Sequence, residues 1–297
     1  MNWKLSNAKF FLIATRFIND SLTFFFGKRI IHFYIIICLF VGCEYADESD
    51  FTHIGITAHR GNSVEYPENT IPAFQSAISL GVDWMELDIH KTKDGQIVVI
   101  HDYDTGNLGD RNLRVAEVTY DELKAVDMAH EFRIRNKLTF KECPPASVPL
   151  LSDIIKLVMQ QNGTRLSIQP KTNCGKEAMD IIKVLNAEAW VGFNDDSVLK
   201  MKEVKEKVKS IPVFWDRPGD TNIDDDLKIA QIEGFESIVI YHFGITKEKV
   251  DKIHEAGLEV GAHTVNEPAR IKVLLGLGVD RFYTDDPHRL MQLLGRK

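Results

Sequence analysis

Short apolar runs recur between residues 55 and 284, and the segments between them mix apolar and polar positions as amphipathic helices do. Strand-like runs that alternate with helical segments are typical of βα units and a parallel sheet. About 250 residues with this alternation is the usual size of one (β/α)8 barrel. We therefore predict a TIM barrel. Its predicted strands are residues 55–59, 84–90, 165–170, 190–193, 211–215, 237–241, 258–264 and 280–284.

A ninth apolar run, "QIVVIHD" at residues 96–102, follows the second predicted strand after only "KTKDG". A parallel crossover needs about a dozen residues or more, whereas Asp-Gly between two strand-like runs favours a hairpin. We predict an antiparallel arm that turns at Asp94-Gly95 and brings His101 back toward the second strand. Because active sites of TIM barrels lie at the carboxyl ends of the strands, this arm gathers titratable groups at that face.

The segment from residue 103 to residue 149 is long and polar, with one predicted helix at residues 119–126. Loops of this length within a compact domain are usually functional or disordered. We predict that the segment is an insertion after the second strand that covers the mouth of the barrel. A helix at residues 151–160 would then lead to the third strand.

An apolar run at residues 33–42 follows Lys28-Arg29 and ends at Cys43. The run is too short to span a bilayer comfortably and is typical of the apolar part of a signal peptide. Because residues 40–43, "FVGC", resemble a loose bacterial lipobox, we predict a protein anchored to the membrane through a lipidated Cys43. Its location would be extracytoplasmic, in the periplasm or at the cell surface. A plain signal peptide and an uncleaved anchor are the alternatives.

These features divide the chain into three parts. Residues 1–43 are the predicted signal peptide, and residues 1–27 form an extension that an ordinary signal does not explain. Residues 44–52 are a polar tether, and residues 53–297 are the barrel domain.

Composition and charge exclude some functions. The chain is 44% hydrophobic and 27% charged, which is ordinary for a globular protein. Its net charge of -7 leaves no basic stripe for a nucleic-acid backbone, so we expect no nucleic-acid partner. The two cysteines of the barrel domain, Cys143 and Cys174, lack the spacing of a zinc or redox site, and two separate thiols are favoured over a disulfide. The oligomeric state is not predicted.

Several residues suited to metal binding, proton transfer and anion binding fall at the predicted mouth. Glu86 and Asp88 lie two residues apart on one strand, so they share a face and can bind a hard divalent cation, Ca²⁺ or Mg²⁺. Two solvated acids at a strand rim are the alternative. His59 and His101 end the first strand and the arm, and histidine suits proton transfer near neutral pH. Arg60 can clamp a phosphate with its planar guanidinium, or form a surface ion pair.

Five short motifs occur in order along the first half of the domain. They are His-Arg-Gly (59–61), Pro-Glu-Asn-Thr (67–70), Glu-x-Asp (86–88), Asp-Gly (94–95) and His-Asp (101–102). The pattern continues with "VPLLSDI" (148–154), "HTVN" (263–266) and "GVDRFYTDDP" (278–287). Together these motifs resemble the signature of glycerophosphodiester phosphodiesterases, and the resemblance covers essentially the whole domain.

This resemblance implies a metal-dependent hydrolase that cleaves a small-molecule glycerophosphodiester to glycerol phosphate and an alcohol. It implies that His59 and His101 form the acid–base pair. The glycerol 2-hydroxyl would attack phosphorus with one histidine as base, the other would protonate the departing alcohol, and water would open the cyclic phosphate. The resemblance also makes Glu68 and Asn69 supports of the site. His263 stands where the family usually has tryptophan and would line the mouth.

The chain departs from the family on the third strand, where Glu-x-Lys is usual and Gln169-Pro170-Lys171 stands here. Lys171 keeps the positive group expected near the phosphate. Gln169 replaces a third anionic metal ligand by a neutral carbonyl, although amide oxygens do coordinate calcium and magnesium. Two alternatives therefore stay open. One is a related phospholipase-type phosphodiesterase, and the other is a lipoprotein that binds a phosphate ligand without turnover.

Overall fold

The computed structural model describes residues 54–296. The predicted signal peptide, its lipobox-like end at Cys43 and the predicted tether lie outside the described residues. Among the helices of residues 54–296, none combines the length and apolarity needed to cross a bilayer.

Eight parallel strands close into a barrel, because the first strand pairs with both the second and the last. In chain order the strands are β1 (Gly55–His59), β2 (Trp84–Lys91), β3 (Ile97–Val99), β4 (Arg165–Pro170), β5 (Val191–Asp195), β6 (Val213–Arg217), β7 (Ser237–Tyr241), β8 (Glu259–His263) and β9 (Arg281–Thr284). All except β3 belong to the barrel, and their bounds lie within two residues of the predicted ones. The predicted (β/α)8 architecture is therefore confirmed.

Helices connect the strands around the outside of the barrel. They are α1 (Ile71–Leu80), α2 (Tyr120–Leu123), α3 (His130–Asn136), α4 (Leu151–Val158), α5 (Gly175–Leu185), α6 (Val198–Lys207), α7 (Ile223–Glu233), α8 (Lys247–Glu255), α9 (Pro268–Leu277) and α10 (Pro287–Leu293). Local sequence sets several of their ends. Proline stands in the first turn of α1, α9 and α10, where no amide donor is needed. Left-handed glycines end α1, α7 and α9.

The predicted hairpin after β2 is also confirmed. Strand β3 runs antiparallel to β2, and His90 pairs with Val98. The turn uses Gly95 at φ +82°, a conformation that glycine adopts without strain. The Thr92 hydroxyl donates to the Asp94 carboxylate at 2.6 Å and steadies the same turn. The arm therefore returns along β2 as the Asp-Gly pattern indicates.

The insertion at residues 103–149 packs around its own small apolar core. That core joins the arm to the insertion through Val98, Ile100, Val115, Leu123, Val126, Met128 and Val148. The predicted helix at residues 119–126 was too long, since α2 ends at Leu123 and Val126 enters the core through a turn in which its amide bonds to the Leu123 carbonyl. The sequence pattern did not predict α3, which also lies in this segment.

Alternation along β2 decides which side chains face the barrel interior. Met85, Leu87 and Ile89 pack with the large core between strands and helices. Glu86 and Asp88 therefore point inward, since successive side chains of a strand point to opposite faces.

Side chains fill the barrel interior below the carboxyl ends of the strands, so the space for a ligand lies at those ends. Trp84, Phe214 and Tyr283 pack in one interior cluster, with the Trp84 and Phe214 rings 4.9 Å apart. Arg281 lies over the Phe214 ring and forms a buried two-pronged ion pair with Glu259, at 2.6 and 2.9 Å.

Candidate active site

A pocket of about 470 Å³ opens at the carboxyl ends of the barrel strands. Its walls combine predicted site residues with others that the sequence did not single out. They are His59, Arg60, Glu86, Gln169, Lys171, Asn194, Asp195, Asp196, Lys200, Asp216, His263, Thr264 and Tyr283. The structure thus brings His59, the two phosphate-clamp candidates and two of the three metal-ligand candidates to one cavity.

His59 is held by a carboxylate from the other end of the chain. Its Nδ1 donates to Asp285 Oδ1 at 2.6 Å, and its Nε2 lies 3.9 Å from Glu86 Oε2. Burial alone would lower the pKa of His59, but the bond with Asp285 and the charge of Glu86 outweigh it and raise that pKa above its ordinary value. Asn266 donates to the second Asp285 oxygen at 2.6 Å. The imidazole is therefore fixed with Nε2 as its free nitrogen.

His101 has a comparable partner from its own neighbourhood. Its Nδ1 donates to Asp102 Oδ1 at 2.7 Å, and Asn107 donates to Asp102 Oδ2 at 2.8 Å. The side chain is not among those that line the pocket. The backbone just before it is tied to β2, because the Ile100 amide donates to the Asp88 carbonyl at 3.0 Å.

His90 anchors the backbone of His101. Its Nε2 lies 2.9 Å from the His101 carbonyl, which can only accept, so Nε2 carries the proton. Burial lowers the pKa of His90, although this hydrogen bond and the charge of Asp88 oppose the change. Tyr103 packs edge-on against the ring, with centroids 5.1 Å apart. His90 therefore holds the end of the arm.

We predict that His90→Leu lowers kcat about tenfold or more, since small displacements of a catalytic group carry large rate losses. The matched variant is His90→Gln, whose terminal amide can donate to the same carbonyl. Its kcat should stay within about threefold of wild type, because it keeps the hydrogen bond that leucine removes. Steady-state kinetics with thermal melts of both variants check this. Equal losses in the two variants would contradict a role through the carbonyl bond.

Glu86 and Asp88 form a buried pair of acids with incomplete hydrogen bonding. Asn69 donates to Asp88 Oδ2 at 2.9 Å, and Asp88 Oδ1 is buried without a hydrogen bond. Glu86 Oε2 accepts from the Arg60 amide at 3.2 Å. Burial, reinforced by the charge of Asp88, raises the pKa of Glu86 to about 8. The pair therefore needs positive charge to be ionised together at neutral pH.

Arg60 sits in a tight turn that aims its guanidinium between acids. Its Nη1 donates to Glu68 at 2.8 Å, and its Nε lies 3.4 Å from Asp88 Oδ2. Arg60 itself has φ +58° and the next residue, Gly61, has φ +81°. A Cβ on Gly61 would lie 2.8 Å from the backbone of Ala73, so only glycine fits. The His-Arg-Gly motif thus serves a backbone turn as well as chemistry.

Gln169 and Lys171 meet the acids from β4. In the sheet register Gln169 stands beside Asp88. Lys171 Nζ donates to Gln169 Oε1 at 2.9 Å and lies 3.6 Å from Asp88 Oδ1. Gln169 Nε2 donates to Asp216 Oδ2 at 3.1 Å. The carbonyl oxygen of Gln169 and the carboxylate of Asp88 therefore both face the Lys171 ammonium.

Comparison with known proteins identifies the relatives of this chain. The sequence profile of the Glycerophosphoryl diester phosphodiesterase family matches residues 59–289. The chain belongs to this family. A glycerophosphodiester phosphodiesterase of Bacillus altitudinis is 30% identical to it over 250 residues, which span 80% of this chain and 97% of the relative.

Solved structures share the fold. An Oleispira antarctica phosphodiesterase, solved in complex with the product sn-glycerol-3-phosphate, is 20% identical with a TM-score of 0.69, covering 82% of this chain and 98% of its own. A Thermotoga maritima glycerophosphodiester phosphodiesterase is 21% identical with a TM-score of 0.65, covering 81% and 98%. The resemblance inferred from the motifs is confirmed at the level of family and fold.

Glycerophosphoryl diester phosphodiesterases are generally metal-dependent, and the donors of this chain fit a hard cation. Glu86 and Asp88 supply buried carboxylates, and Gln169 supplies a carbonyl oxygen. Residues 54–296 contain no group of three or more His, Cys, Asp or Glu side chains placed to hold a metal. That result agrees with the substitution in this member of the family, because the third candidate donor is an amide.

Two residues of the site were not predicted individually from the sequence. Asp285 was contained in the "GVDRFYTDDP" motif, and its place directly after the last strand was the available signal. Asp216 directly follows Trp215 on β6. Trp215 is fully buried in the core outside the barrel, so alternation along β6 turns Asp216 inward instead.

The insertion was expected to cover the mouth of the barrel. Within the described chain, no residue of 103–149 lines the pocket. The insertion packs its apolar side chains against the arm, which leaves the pocket walls to the strand ends. His263 does line the pocket, as expected, and burial lowers its pKa to about 4, with the charges of His59 and His242 adding to the effect. The His263 imidazole is therefore uncharged at neutral pH and lines the pocket as a neutral group.

Proposed function

We propose that this family member hydrolyses glycerophosphodiesters to glycerol phosphate and an alcohol by acid–base catalysis with His59 and His101. The observation that carries the proposal is the bond between His59 Nδ1 and Asp285, which leaves Nε2 as the free nitrogen of a pocket-lining histidine. A carboxylate in this position orients an imidazole and stabilises its protonated form. The family relationship and the product complex of the Oleispira antarctica relative support the choice of substrate class.

The chain supplies each remaining function in the cleavage of a phosphodiester. Arg60 and Lys171 neutralise the non-bridging oxygens of the substrate, and the planar guanidinium can bind two of them at once. One histidine removes the proton of the attacking glycerol hydroxyl, and the other protonates the departing alcohol oxygen. Water then opens the cyclic phosphate by the reverse proton transfers. Glu68 holds Arg60, and Asn69 holds Asp88, so both act as supports.

We propose Glu86, Asp88 and Gln169 as the ligands of one divalent cation, Ca²⁺ or Mg²⁺. A bound cation supplies positive charge that stabilises the developing charge on the phosphate oxygens. The unbonded, buried Asp88 Oδ1 and the raised pKa of Glu86 support a cation at this place, since isolated buried carboxylates are costly.

A panel of glycerophosphodiesters with different alcohols tests the activity. Purified protein is stripped with a chelator, and release of glycerol phosphate is measured with and without added calcium or magnesium. We expect turnover that depends on the added cation and is lost on its removal. If every substrate stays intact while phosphate ligands still bind, the chain is a binding protein. Cleavage of lysophospholipids alone would instead indicate a phospholipase-type specificity.

We also propose that the protein is exported and anchored to the membrane through Cys43. The support is the sequence alone: Lys28-Arg29, the apolar run at residues 33–42 and the cysteine that ends it. Mass spectrometry of the native protein should find an acylated N-terminus at Cys43, and Cys43→Ser should release the protein from the membrane fraction. A mature product that retains residues 1–42 would contradict this and indicate an uncleaved anchor.

A further inference from the structure

The pocket contains a carboxylate–amide pair that no motif accounts for. Asp216 Oδ2 accepts two hydrogen bonds, from Gln169 Nε2 and from Asn194 Nδ2, each at 3.1 Å. The three side chains come from β4, β5 and β6 and all line the pocket. Asn194 is held in turn by Ser167, whose hydroxyl donates to Asn194 Oδ1 at 2.7 Å. Asp216 therefore stands in a supported position.

The orientation of Gln169 matters because an amide has two different ends. If Nε2 faced Asp88, the side chain would present a donor where the proposed cation needs an oxygen. A glutamate at this position would have no such ambiguity, since both of its oxygens accept. Replacement of the family's glutamate by Gln169 thus makes the site dependent on whatever fixes the amide.

Two neighbours fix the amide from opposite sides. Asp216 Oδ2 accepts from Asn194 as well as from Gln169, so it bonds the Nε2 end of Gln169. An ammonium only donates, so Lys171 bonds the Oε1 end, at 2.9 Å. The same Lys171 ammonium lies 3.6 Å from Asp88 Oδ1. The Gln169 oxygen consequently points toward the carboxylates of β2, and the reversed amide would lose both bonds.

We propose that Asp216 is a positioning residue of the metal site, which holds Gln169 with its carbonyl oxygen toward Glu86 and Asp88. This inference rests on the proposed function, because it concerns the same cation site. Asp216 takes no part in proton transfer and acts through Gln169. The amide on β4 is thus bonded by an acid on β6.

Calorimetric titration of calcium chloride and magnesium chloride into the whole protein tests the proposal without a substrate. Asp216→Ala should weaken cation binding about tenfold, the usual loss when a partner that orients a ligand is removed. The cation affinity of Asp216→Asn should stay within about threefold of wild type. The amide groups of Gln169 and Asn194 can donate to the Oδ1 of the new asparagine, so Gln169 stays oriented. Thermal melts of both variants check that they fold.

In the Gln169→Glu background, Asp216→Ala is no longer expected to weaken cation binding. A glutamate needs no orientation, and its carboxylate would face that of Asp216, so Asp216→Ala in this background should leave cation affinity unchanged or increase it. Gln169→Glu combined with Asp216→Asn exchanges acid and amide between the strands and should bind the cations more tightly than wild type, since it adds an anionic ligand. Asp196→Ala, which removes an exposed carboxylate of the same pocket, is the control for a general effect of charge.

Three results would overturn the proposal. They are an equal loss from Asp216→Ala in both backgrounds, a loss in Asp216→Asn as large as in Asp216→Ala, and the absence of calcium and magnesium binding by wild type. Failure of the proposed function gives a different result. In that case the affinity pattern across these variants would hold while every glycerophosphodiester remained uncleaved.

Discussion

Alanine at His59 or His101 is expected to lower kcat for glycerophosphodiester hydrolysis by about 10²- to 10⁴-fold, the usual contribution of one positioned proton-transfer group. His59 offers a free Nε2 in the pocket, and each of the two histidines is oriented by a carboxylate. Both side chains are partly exposed at the mouth and lie outside the apolar clusters. We therefore expect the melting temperatures of the two variants to stay close to that of wild type.

The measurement is the initial rate of glycerol phosphate release at saturating substrate and cation. His254→Ala is the matched control, since His254 pairs with Asp280 at 2.8 Å at the end of α8, on the opposite face of the barrel. It should leave kcat unchanged. A variant of His59 or His101 that kept more than about a tenth of wild-type activity would remove that residue from the acid–base pair, given the usual size of the effect.

Asp285→Asn is expected to produce the second largest loss, about 10²-fold or more in kcat with little change in stability, because an amide does not maintain the tautomer that a carboxylate imposes on histidine. The amide group of the variant could donate to His59 Nδ1, which would place the ring proton on Nε2. That nitrogen could then no longer accept a proton from the substrate. The loss should therefore appear in kcat rather than in KM.

Asp286→Asn is a control of the same kind at the adjacent position. Asp286 accepts from the Arg289 amide at the start of α10 and does not contact His59, and asparagine serves there equally well. Kinetics of the two variants, side by side with melting curves, separate catalysis from folding. If Asp285→Asn retained the kcat of Asp286→Asn, the bond to His59 would have no catalytic importance.

The barrel could be predicted from the sequence because its signal is local. The pattern that indicates each strand or helix lies within about ten consecutive residues. The Asp94-Gly95 turn distinguished the arm from a ninth barrel strand. The bounds of α2 could not be predicted in the same way, since Val126 joins an apolar core whose other members are spread over the arm and the insertion. Tertiary packing determines that boundary.

The site shows the same division between local and distant information. Glu86 and Asp88 were recognisable because both belong to one strand face. Asp285 and Asp216 were not, since their partners, His59 and Gln169, are 226 and 47 residues away. Only barrel closure brings these pairs together, and neither pair follows from spacing along the chain. Asp216 was also hard to place because an apolar run does not show which of its alternating positions faces the barrel interior.

The bond between His59 and Asp285 has a consequence for the order in which this enzyme acquires activity. A ribosome completes His59, Arg60, both acids of β2 and His101 long before Asp285, which follows the last barrel strand. Strand β9, which pairs with β1, must also be in place before the carboxylate can reach the imidazole. A growing or truncated chain therefore carries both histidines of the proposed acid–base pair without the means to orient the first one. Catalytic competence becomes a property of the finished barrel.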